Sequence, residues 1–548
     1  MSRGSVWAAG LVAACLAFAT AGCRGRGHKD YDRVPDADVV ANGDARVDAS
    51  IGDAVTLNPL LAQDSASDDI IGLVFDALLR YNPGLELEGD LAKSWQVRDK
   101  GLRIVFHLRR GVLWQDGKSF TSADVAFTYR AIMDPKVACP FKADFSLVSR
   151  VETPDPWTVV VTYRKPFAPA LSAWAEASIL PLHLLKGRKL SGGSFDSHPV
   201  GTGPYCLVSW KRNQSIELKA NPLYWEGEPH IRRYLYQIIP DPATQVLEMK
   251  SQNVDTVNLS SVPDQYRDLS RSASFREIGR TFRFPGFNEY EFFGFNLLKP
   301  MFQDKRVRWA LSYAIDRKAL IDSILLGYGQ PCSGPYVPSM PAYNPRVTPV
   351  PYDLGKAEKL LDEAGWKRGK DGWREKDGRP MAFTIATNQG NKVREEVATI
   401  LQQQFARLGI RARVQILAWS LFDSQYVSKK NFDTVVLGWG LGMDPDQYVI
   451  WDSKESGPGG LNFISYKNPR VDRLLEEGRT TFDWKKRVRI YRKFHALIAA
   501  DQPVCFLFAP DSLSAVNRRF HGLLVTKTGC MWYWPTRWYV PKSIQLYP

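Results

Sequence analysis

The chain has 548 residues, of which 44% are hydrophobic and 24% are charged. These fractions are typical of soluble globular proteins, and they exclude a disordered, a collagen-like or a polytopic membrane chain. The length suits about three domains of the usual size. The net charge of +14 can attract nucleic acid or an anionic membrane. However, Lys and Arg are spread along the whole chain without a nucleic-acid-binding motif, so the charge indicates a solvated surface and no nucleic-acid partner.

The N-terminus has the pattern of a lipoprotein export signal. Arg3 precedes an apolar run from Val6 to Thr20, which is too short to span a membrane. Thr20-Ala21-Gly22-Cys23 then places small residues before a cysteine, although Leu usually stands at the position of Thr20 in such motifs. We predict a signal peptide over 1–22, then an acylated Cys23 and a flexible tether over 23–47, which would anchor the protein outside the cytoplasmic membrane. The alternative is an ordinary signal peptide with Cys23 near its cleavage site by chance.

Hydrophobic periodicity predicts a mixture of helices and strands along the rest of the chain. In chain order these are a helix over Asp64–Leu79, strands over Leu102–Leu108 and Trp157–Tyr163, a hairpin of Tyr205–Trp210 with Ser215–Lys219 around Arg212-Asn213, helices over Asp304–Leu326 and Val393–Leu408, a strand over Phe432–Leu437, helices over Val471–Glu477 and Trp484–Ala499, and a strand over Val504–Ala509. This mixture indicates an α/β or mixed α+β fold class.

Five cysteines remain after Cys15 in the signal and Cys23 at the anchor. They are far apart in the sequence and form no CxxC pair, which argues against a structural zinc or a thioredoxin-like site. Their odd number allows at most two disulfides and leaves one thiol free. They are Cys139, Cys206, Cys332, Cys505 and Cys530.

The sequence contains no convincing catalytic motif. Gly117-Lys118-Ser119 does not complete a phosphate-binding loop, because Gly111 lies one residue too far upstream. There is no GxSxG motif, and the seven histidines never have HxH or HExxH spacing. We therefore predict a binding protein without catalytic residues, cofactor or metal. The rival is a secreted hydrolase that uses scattered carboxylates.

A set of short motifs runs through nearly all of the chain in one order. They are Leu91–Trp95, Phe106–Gly117, Phe120–Phe127, Gly201–Tyr205, Asn221–Trp225, Asp304–Leu311 with Ala314–Arg317, Trp439–Asp446 and Asn468–Asp472. This ordered set resembles family 5 of the bacterial extracellular solute-binding proteins, which are the oligopeptide- and dipeptide-binding subunits of ABC importers. Most of these residues suit scaffold roles. Thr121, for example, can cap a helix that starts near Ala123.

The resemblance implies a type II periplasmic-binding-protein-like fold, with two lobes joined by a hinge and an additional inserted domain. Domain I would take 48–60, 185–285 and 508–548, the inserted domain II 61–184, and domain III 286–507. A monomer would capture a peptide between the lobes and deliver it to an ABC permease driven by separate ATPase subunits. Other members of the family bind nickel chelates, haem or oligosaccharide, and these ligands remain alternatives.

The segment Gly438–Tyr448 is the strongest candidate for ligand contact. Trp439 offers a flat apolar wall, and Gly440 and Gly442 free the backbone for close approach of another chain. Asp444 and Asp446 can pair with a cation such as a peptide amino terminus. In well-known oligopeptide binders an Asp three residues after the equivalent Trp makes this contact, but here that position is Gly442. The contact would move to Asp444 or Asp446, or be absent. The alternative is a glycine-rich turn with solvated aspartates.

The resemblance adds four further candidates on two other segments. Trp451 and Asn462 belong to a stretch that lies near the cleft in the family, and the Asn462 amide can bond a peptide group. Ala54 and Asn58 belong to the segment whose strand edge lends backbone groups to an extended ligand in relatives.

Overall fold

The computed structural model describes residues 41–524, 526 and 535–547. The predicted signal peptide, the acylation of Cys23, most of the predicted tether and Cys530 lie outside the described residues.

Helices and strands alternate through this part of the chain. The strands are β1 (Ala45–Ser50), β2 (Leu79–Tyr81), β3 (Leu87–Gly89), β4 (Ala92–Arg98), β5 (Arg103–Leu108), β6 (Val148–Asp155), β7 (Thr158–Tyr163), β8 (Tyr205–Lys211), β9 (Ser215–Ala220), β10 (Arg233–Ile238), β11 (Thr256–Asn258), β12 (Gly279–Phe284), β13 (Glu289–Phe295), β14 (Gly329–Pro331), β15 (Lys367–Arg368), β16 (Arg374–Lys376), β17 (Arg379–Pro380), β18 (Ala382–Asn388), β19 (Arg411–Leu417), β20 (Thr434–Gly440), β21 (Val504–Pro510) and β22 (Ser512–Asn517). The α-helices are α1 (Ser65–Val74), α2 (Ser122–Met133), α3 (Ala170–Glu176), α4 (Leu182–Leu185), α5 (Pro242–Lys250), α6 (Pro263–Arg271), α7 (Ala273–Ile278), α8 (Pro300–Gln303), α9 (Lys305–Tyr313), α10 (Arg317–Ser323), α11 (Leu354–Glu363), α12 (Lys392–Arg407), α13 (Trp419–Leu421), α14 (Tyr448–Trp451), α15 (Pro469–Thr480) and α16 (Trp484–Asp501).

Three larger sheets use separate stretches of the chain. A seven-stranded sheet has the order β12-β22-β11-β1-β10-β9-β8, a six-stranded sheet has the order β14-β21-β13-β20-β18-β19, and a four-stranded sheet has the order β4-β5-β7-β6. In the seven-stranded sheet β1 and β10 pair in parallel, from Ala45 opposite Arg233 to Ser50 opposite Ile238. The predicted domain boundaries stay predictions, although each sheet provides the framework that one of these domains would need.

The apolar cores follow the sheets. Phe293 and Val436 face one side of the six-stranded sheet and pack against α9, α11 and α12. Phe292 and Leu437 face the other side and pack towards α15 and α16. Because period-2 alternation sends neighbouring side chains to opposite faces, β13 and β20 feed two cores at once. Both strands are therefore rigidly held up to the point where β20 ends at Gly440.

Most of the predicted elements are confirmed within a residue or two at each end. The helix predicted over Asp64–Leu79 is too long, because α1 ends at Val74 and Leu79 already begins β2. The helix predicted over Asp304–Leu326 is wrong as a single element, because the chain forms α9 and α10 with a break between them. Asp316 caps the second helix by accepting a hydrogen bond from the Ala319 amide. The buried Arg317 side chain donates to the carbonyls of Ser312 and Ile315 and so satisfies groups that the break exposes.

Two of the family-like motifs, Phe106–Gly117 and Gly201–Tyr205, meet at the end of α1. Gly203 donates its amide to the Val74 carbonyl at 2.9 Å, and a Cβ on Gly201 would lie only 1.9 Å from the same oxygen. The Gln115 amide bridges these segments by donating to Val74 O and Tyr205 O. Glycine is required here because the backbones approach too closely for a side chain. These motifs thus serve the scaffold.

Four of the remaining cysteines, namely Cys139, Cys206, Cys332 and Cys505, are free thiols in the structure. Among the described residues, no helix is long and apolar enough to cross a membrane.

Candidate ligand-binding cleft

A cavity of about 170 Å³ lies between α3 and the loop that follows β20. One wall comes from the chain that carries the four-stranded sheet, and the other comes from the end of the six-stranded sheet. The lining residues are Asp144, Pro169, Ser172, Ala173 and Glu176 on the first wall, and Trp439, Gly440, Leu441, Gly442, Asp444, Asp446, Gln447, Val449, Ile450 and Leu461 on the second.

Strand β20 reaches the cavity with one side unpaired. Its neighbour β13 accompanies it to the end, where Glu289 stands opposite Gly440. Its other neighbour β18 pairs only with Thr434 and Val435. Within the described chain, the residues from Leu437 to Gly440 therefore have no strand partner on that side. This edge leaves backbone groups free to pair with an extended ligand.

Trp439 and the glycines shape the wall of the cavity. The Trp439 ring is half-buried, and its centroid lies 5.8 Å from that of Phe463. A Cβ on Gly440 would meet nothing within 4 Å, so the space beside this backbone is open. The indole thus supplies an apolar face and the glycine leaves the strand edge accessible.

The loop after β20 is held by two arginines from the long helices behind it. Arg487 of α16 donates to both carboxylate oxygens of Asp444 at 2.6 Å. Nε of Arg479 of α15 lies 3.0 Å from Asp446 Oδ2, and the Tyr491 hydroxyl donates to the other oxygen of Asp446 at 3.2 Å. Both aspartates are therefore already paired with a cation of the protein itself.

Arg479 also joins the two walls of the cleft. Its guanidinium pairs with Asp144, and its carbonyl accepts a hydrogen bond from the Ala168 amide at 2.7 Å. Burial raises the pKa of Asp144 and of Asp446, and the positive charge of Arg479 opposes both shifts. The arginine therefore offsets part of the cost of burying these two carboxylates.

Glu176 is the carboxylate of the cleft without such a partner. It is the last residue of α3, and its Oε1 lies 3.0 Å from the position that a Cβ on Gly442 would take. No Lys, Arg or His among the described residues forms an ion pair or hydrogen bond with it. Desolvation by the surrounding protein raises its pKa to about 8, and the negative charges of Asp144, Asp444 and Asp446 add to this shift.

Five of the predicted site residues come together in this cavity, namely Trp439, Gly440, Gly442, Asp444 and Asp446. The other predicted residues do not line it. Trp451 is buried in the core and donates its indole N–H to Gln447 Oε1 at 2.9 Å.

The remaining predicted contacts serve the fold in this structure. The Asn462 amide donates to the carbonyls of Asp452 and Tyr466, and the Asn58 amide donates to Leu190 O and Asp196 Oδ1. Ala54 is buried, and its carbonyl accepts a hydrogen bond from Arg212. The two amides have committed their donors internally, so the geometry does not favour them as ligand contacts.

Sequence reasoning missed Asp144, Glu176, Arg479 and Arg487. Each is an ordinary charged residue in a helix or turn, and nothing in its local pattern marks it as functional. Only the packing of α3, α15 and α16 around one loop brings them together. Among the described residues, no group of three or more His, Cys, Asp or Glu side chains is arranged to hold a metal ion.

Residues 86–460 match the family model described as bacterial extracellular solute-binding proteins, family 5. The chain belongs to this family. It is 31% identical to the oligopeptide-binding protein AppA of Bacillus subtilis, over 92% of this chain and 94% of that protein. It is thus an extracytoplasmic solute-binding protein, as the ordered motifs predicted.

Solved structures agree with this assignment. The structure of AppA from Bacillus subtilis in complex with a nonapeptide has a TM-score of 0.87 at 30% identity, and the match covers 92% of this chain and all of that chain. NikZ from Campylobacter jejuni in complex with Ni(L-His) has a TM-score of 0.80 at 28% identity, covering 91% and 99%. The predicted α/β fold of the type II periplasmic-binding-protein class is confirmed. Relatives with this fold carry different ligands.

Proposed function

We propose that this family member captures oligopeptides and delivers them to an ABC permease in the membrane. The observation that supports a peptide is the open edge of β20 beside the cavity. An extended main chain can pair with the free groups between Leu437 and Gly440, as an added strand. Main-chain pairing gives affinity without regard to sequence, which suits an importer of many peptides. The peptide bound to AppA, a relative at 30% identity, supports the same assignment.

The cavity then takes a side chain or an end of the peptide. Trp439 provides an apolar face for it, and the two arginine-held aspartates fix the shape of the loop. Closure of the lobes around the ligand would exclude water and strengthen the polar contacts. In this proposal the protein holds its ligand without chemical change, and a lipid anchor at Cys23 keeps the monomer beside the permease.

Native mass spectrometry of the freshly purified protein tests this function. We expect co-purified peptides of mixed sequence, which are released on denaturation with unchanged masses. Titration calorimetry with a synthetic copy of a released peptide should then show one site per chain. Recovery of a nickel chelate or haem in place of peptide would contradict the proposal. A peptide that is cleaved during incubation would contradict the absence of chemistry.

A further inference from the structure

The charges around the cavity are not balanced by the protein. Among the described lining residues and their ion-pair partners, Arg479 pairs with Asp144 and Asp446, and Arg487 pairs with Asp444. Glu176 is left over. The groups that influence its charge most strongly are other carboxylates, Asp144, Asp444, Asp446 and Asp68. A ligand that brings positive charge to this wall would stabilise the ionised form of Glu176.

The position of Glu176 makes its carboxylate available to a ligand. It ends α3 at the mouth of the cavity, and the side chain is exposed to the cleft. Gly442 lies close to it on the opposite wall, where a Cβ would come within 3.0 Å of Glu176 Oε1, so the carboxylate stands at the point where the two walls approach each other. A ligand group that enters between α3 and β20 meets Trp439 on one side and this carboxylate on the other.

Asp444 and Asp446 cannot serve this purpose without giving up their arginines. Asp444 binds Arg487 through both oxygens, and Asp446 binds Arg479 and the Tyr491 hydroxyl. Removing an aspartate from its arginine would leave a buried cation unpaired, which is strongly unfavourable. These aspartates hold the loop. Glu176 is therefore a better candidate than either aspartate for pairing with a cationic group of the ligand.

We propose that Glu176 binds an ammonium group of the ligand, so that the ligand charge is recognised from the α3 wall of the cleft. The contact would be a charge-assisted hydrogen bond in a partly desolvated site. This inference rests on the proposed function in taking the ligand to be a peptide. The ammonium can come from the amino terminus of the peptide or from a lysine side chain.

Binding of random nonapeptide libraries separates these sources. Four libraries are compared by competitive capture and mass spectrometry, with free or acetylated amino ends and with or without lysine. If the amino terminus is the partner, acetylation should weaken binding by about tenfold or more in both pairs, since a hydrogen bond between charged groups is lost. If lysine is the partner, libraries with lysine should bind more tightly than those without it, whether or not the amino end is acetylated. Glu176→Gln should abolish whichever preference the wild type shows.

Asp423→Asn is the matched control variant. It removes one negative charge, and Asp423 does not line this cavity. Burial likewise raises the pKa of Asp423, to about 6, so its charge is in a comparable environment. This variant should keep the wild-type preference. Equal binding of all libraries by the wild type would overturn the role of Glu176 while leaving peptide binding intact. A lack of binding to every library would overturn both proposals.

Proton release gives a second readout that a merely structural role would not produce. In the free protein the pKa of Glu176 is raised to about 8, so the group is largely protonated at neutral pH. An ammonium requires the ionised form, and binding should expel the proton. Calorimetry at neutral pH in two buffers of different ionisation enthalpy measures this release. We expect release in the wild type and in Asp423→Asn, and a smaller release in Glu176→Gln.

The other charges at this site remain the same in that comparison. They are Asp68 on α1, Asp144 before β6, Asp444 and Asp446 on the loop, Arg479 on α15 and Arg487 on α16. Equal proton release by the wild type and Glu176→Gln would assign the titration to one of these groups and overturn the inference.

Discussion

Arg519, which follows β22 of the seven-stranded sheet, and Arg479 at the cleft each bind two aspartates. Arg519 is fully buried and pairs with Asp44 and Asp255, the latter at 2.6 Å. Asp44 also accepts hydrogen bonds from the backbone amides of Ala45 and Tyr547, so both aspartates around Arg519 are paired with donors. At the cleft, Arg479 pairs with Asp144 and Asp446, but Glu176 stands beside them without a cation. The complete set of partners lies in the scaffold, and the incomplete set lines the cleft.

The largest effect should come from breaking the complete set. Arg519→Met leaves Asp44 and Asp255 buried without their cation, which should cost about 3–5 kcal/mol of the free energy of unfolding. Urea denaturation followed by intrinsic fluorescence measures this loss. Arg413→Met changes an exposed arginine in β19 and should stay near wild type. A loss of similar size in both variants would mean that the ion pairs of Arg519 contribute no more to the free energy of unfolding than an exposed arginine does.

An intermediate effect should follow from Asp444→Asn at the cleft. The substitution keeps the shape of the side chain but weakens its two hydrogen bonds to Arg487, at a cost of about 1–3 kcal/mol. Because the loop is then less well held, binding of free and acetylated peptides should weaken by the same factor. Calorimetry with a matched pair of peptides checks this. If only the peptide with a free amino end lost affinity, Asp444 would be the residue that contacts the ligand.

The sequence was informative wherever the signal is local. Asp64 and Thr121 cap helices as side chains of their type do, and Arg212-Asn213 joins two strands of a hairpin. Trp439 and the glycines around it were found because strand β20 runs directly into them. Local pattern was misleading at Asp316, where apolar periodicity continues across a helix break that a cap and a buried arginine impose.

The rest of the site depends on contacts between distant segments. Glu176 ends a short helix 266 residues before Gly442. It is a candidate for ligand contact only because other carboxylates surround it in the folded protein. The same holds for Asp444 and Asp446, whose types suggested a ligand role. Their arginines, Arg479 and Arg487, come from helices that the sequence predicted well as elements but could not place.

The smallest effect concerns the stability of the ligand-free protein. Because the pKa of Glu176 is raised from 4.5 to about 8 in the folded state, the fold binds this proton more tightly than the unfolded chain does. The stability that it contributes is complete below pH 4.5 and is lost as the pH rises towards 8. Solvent screening at this exposed side chain keeps the change modest.

Glu176→Gln removes this titration while keeping the size of the side chain. The melting temperature of the variant should therefore rise relative to wild type from about pH 5 to about pH 9, and the difference should level off once Glu176 is ionised. Differential scanning calorimetry of both proteins across this range measures it. The Asp44–Arg519–Asp255 cluster is paired throughout and contributes equally to both proteins. A constant difference across the range would show that Glu176 already has a counter-ion, and the contrast between the two clusters would then disappear.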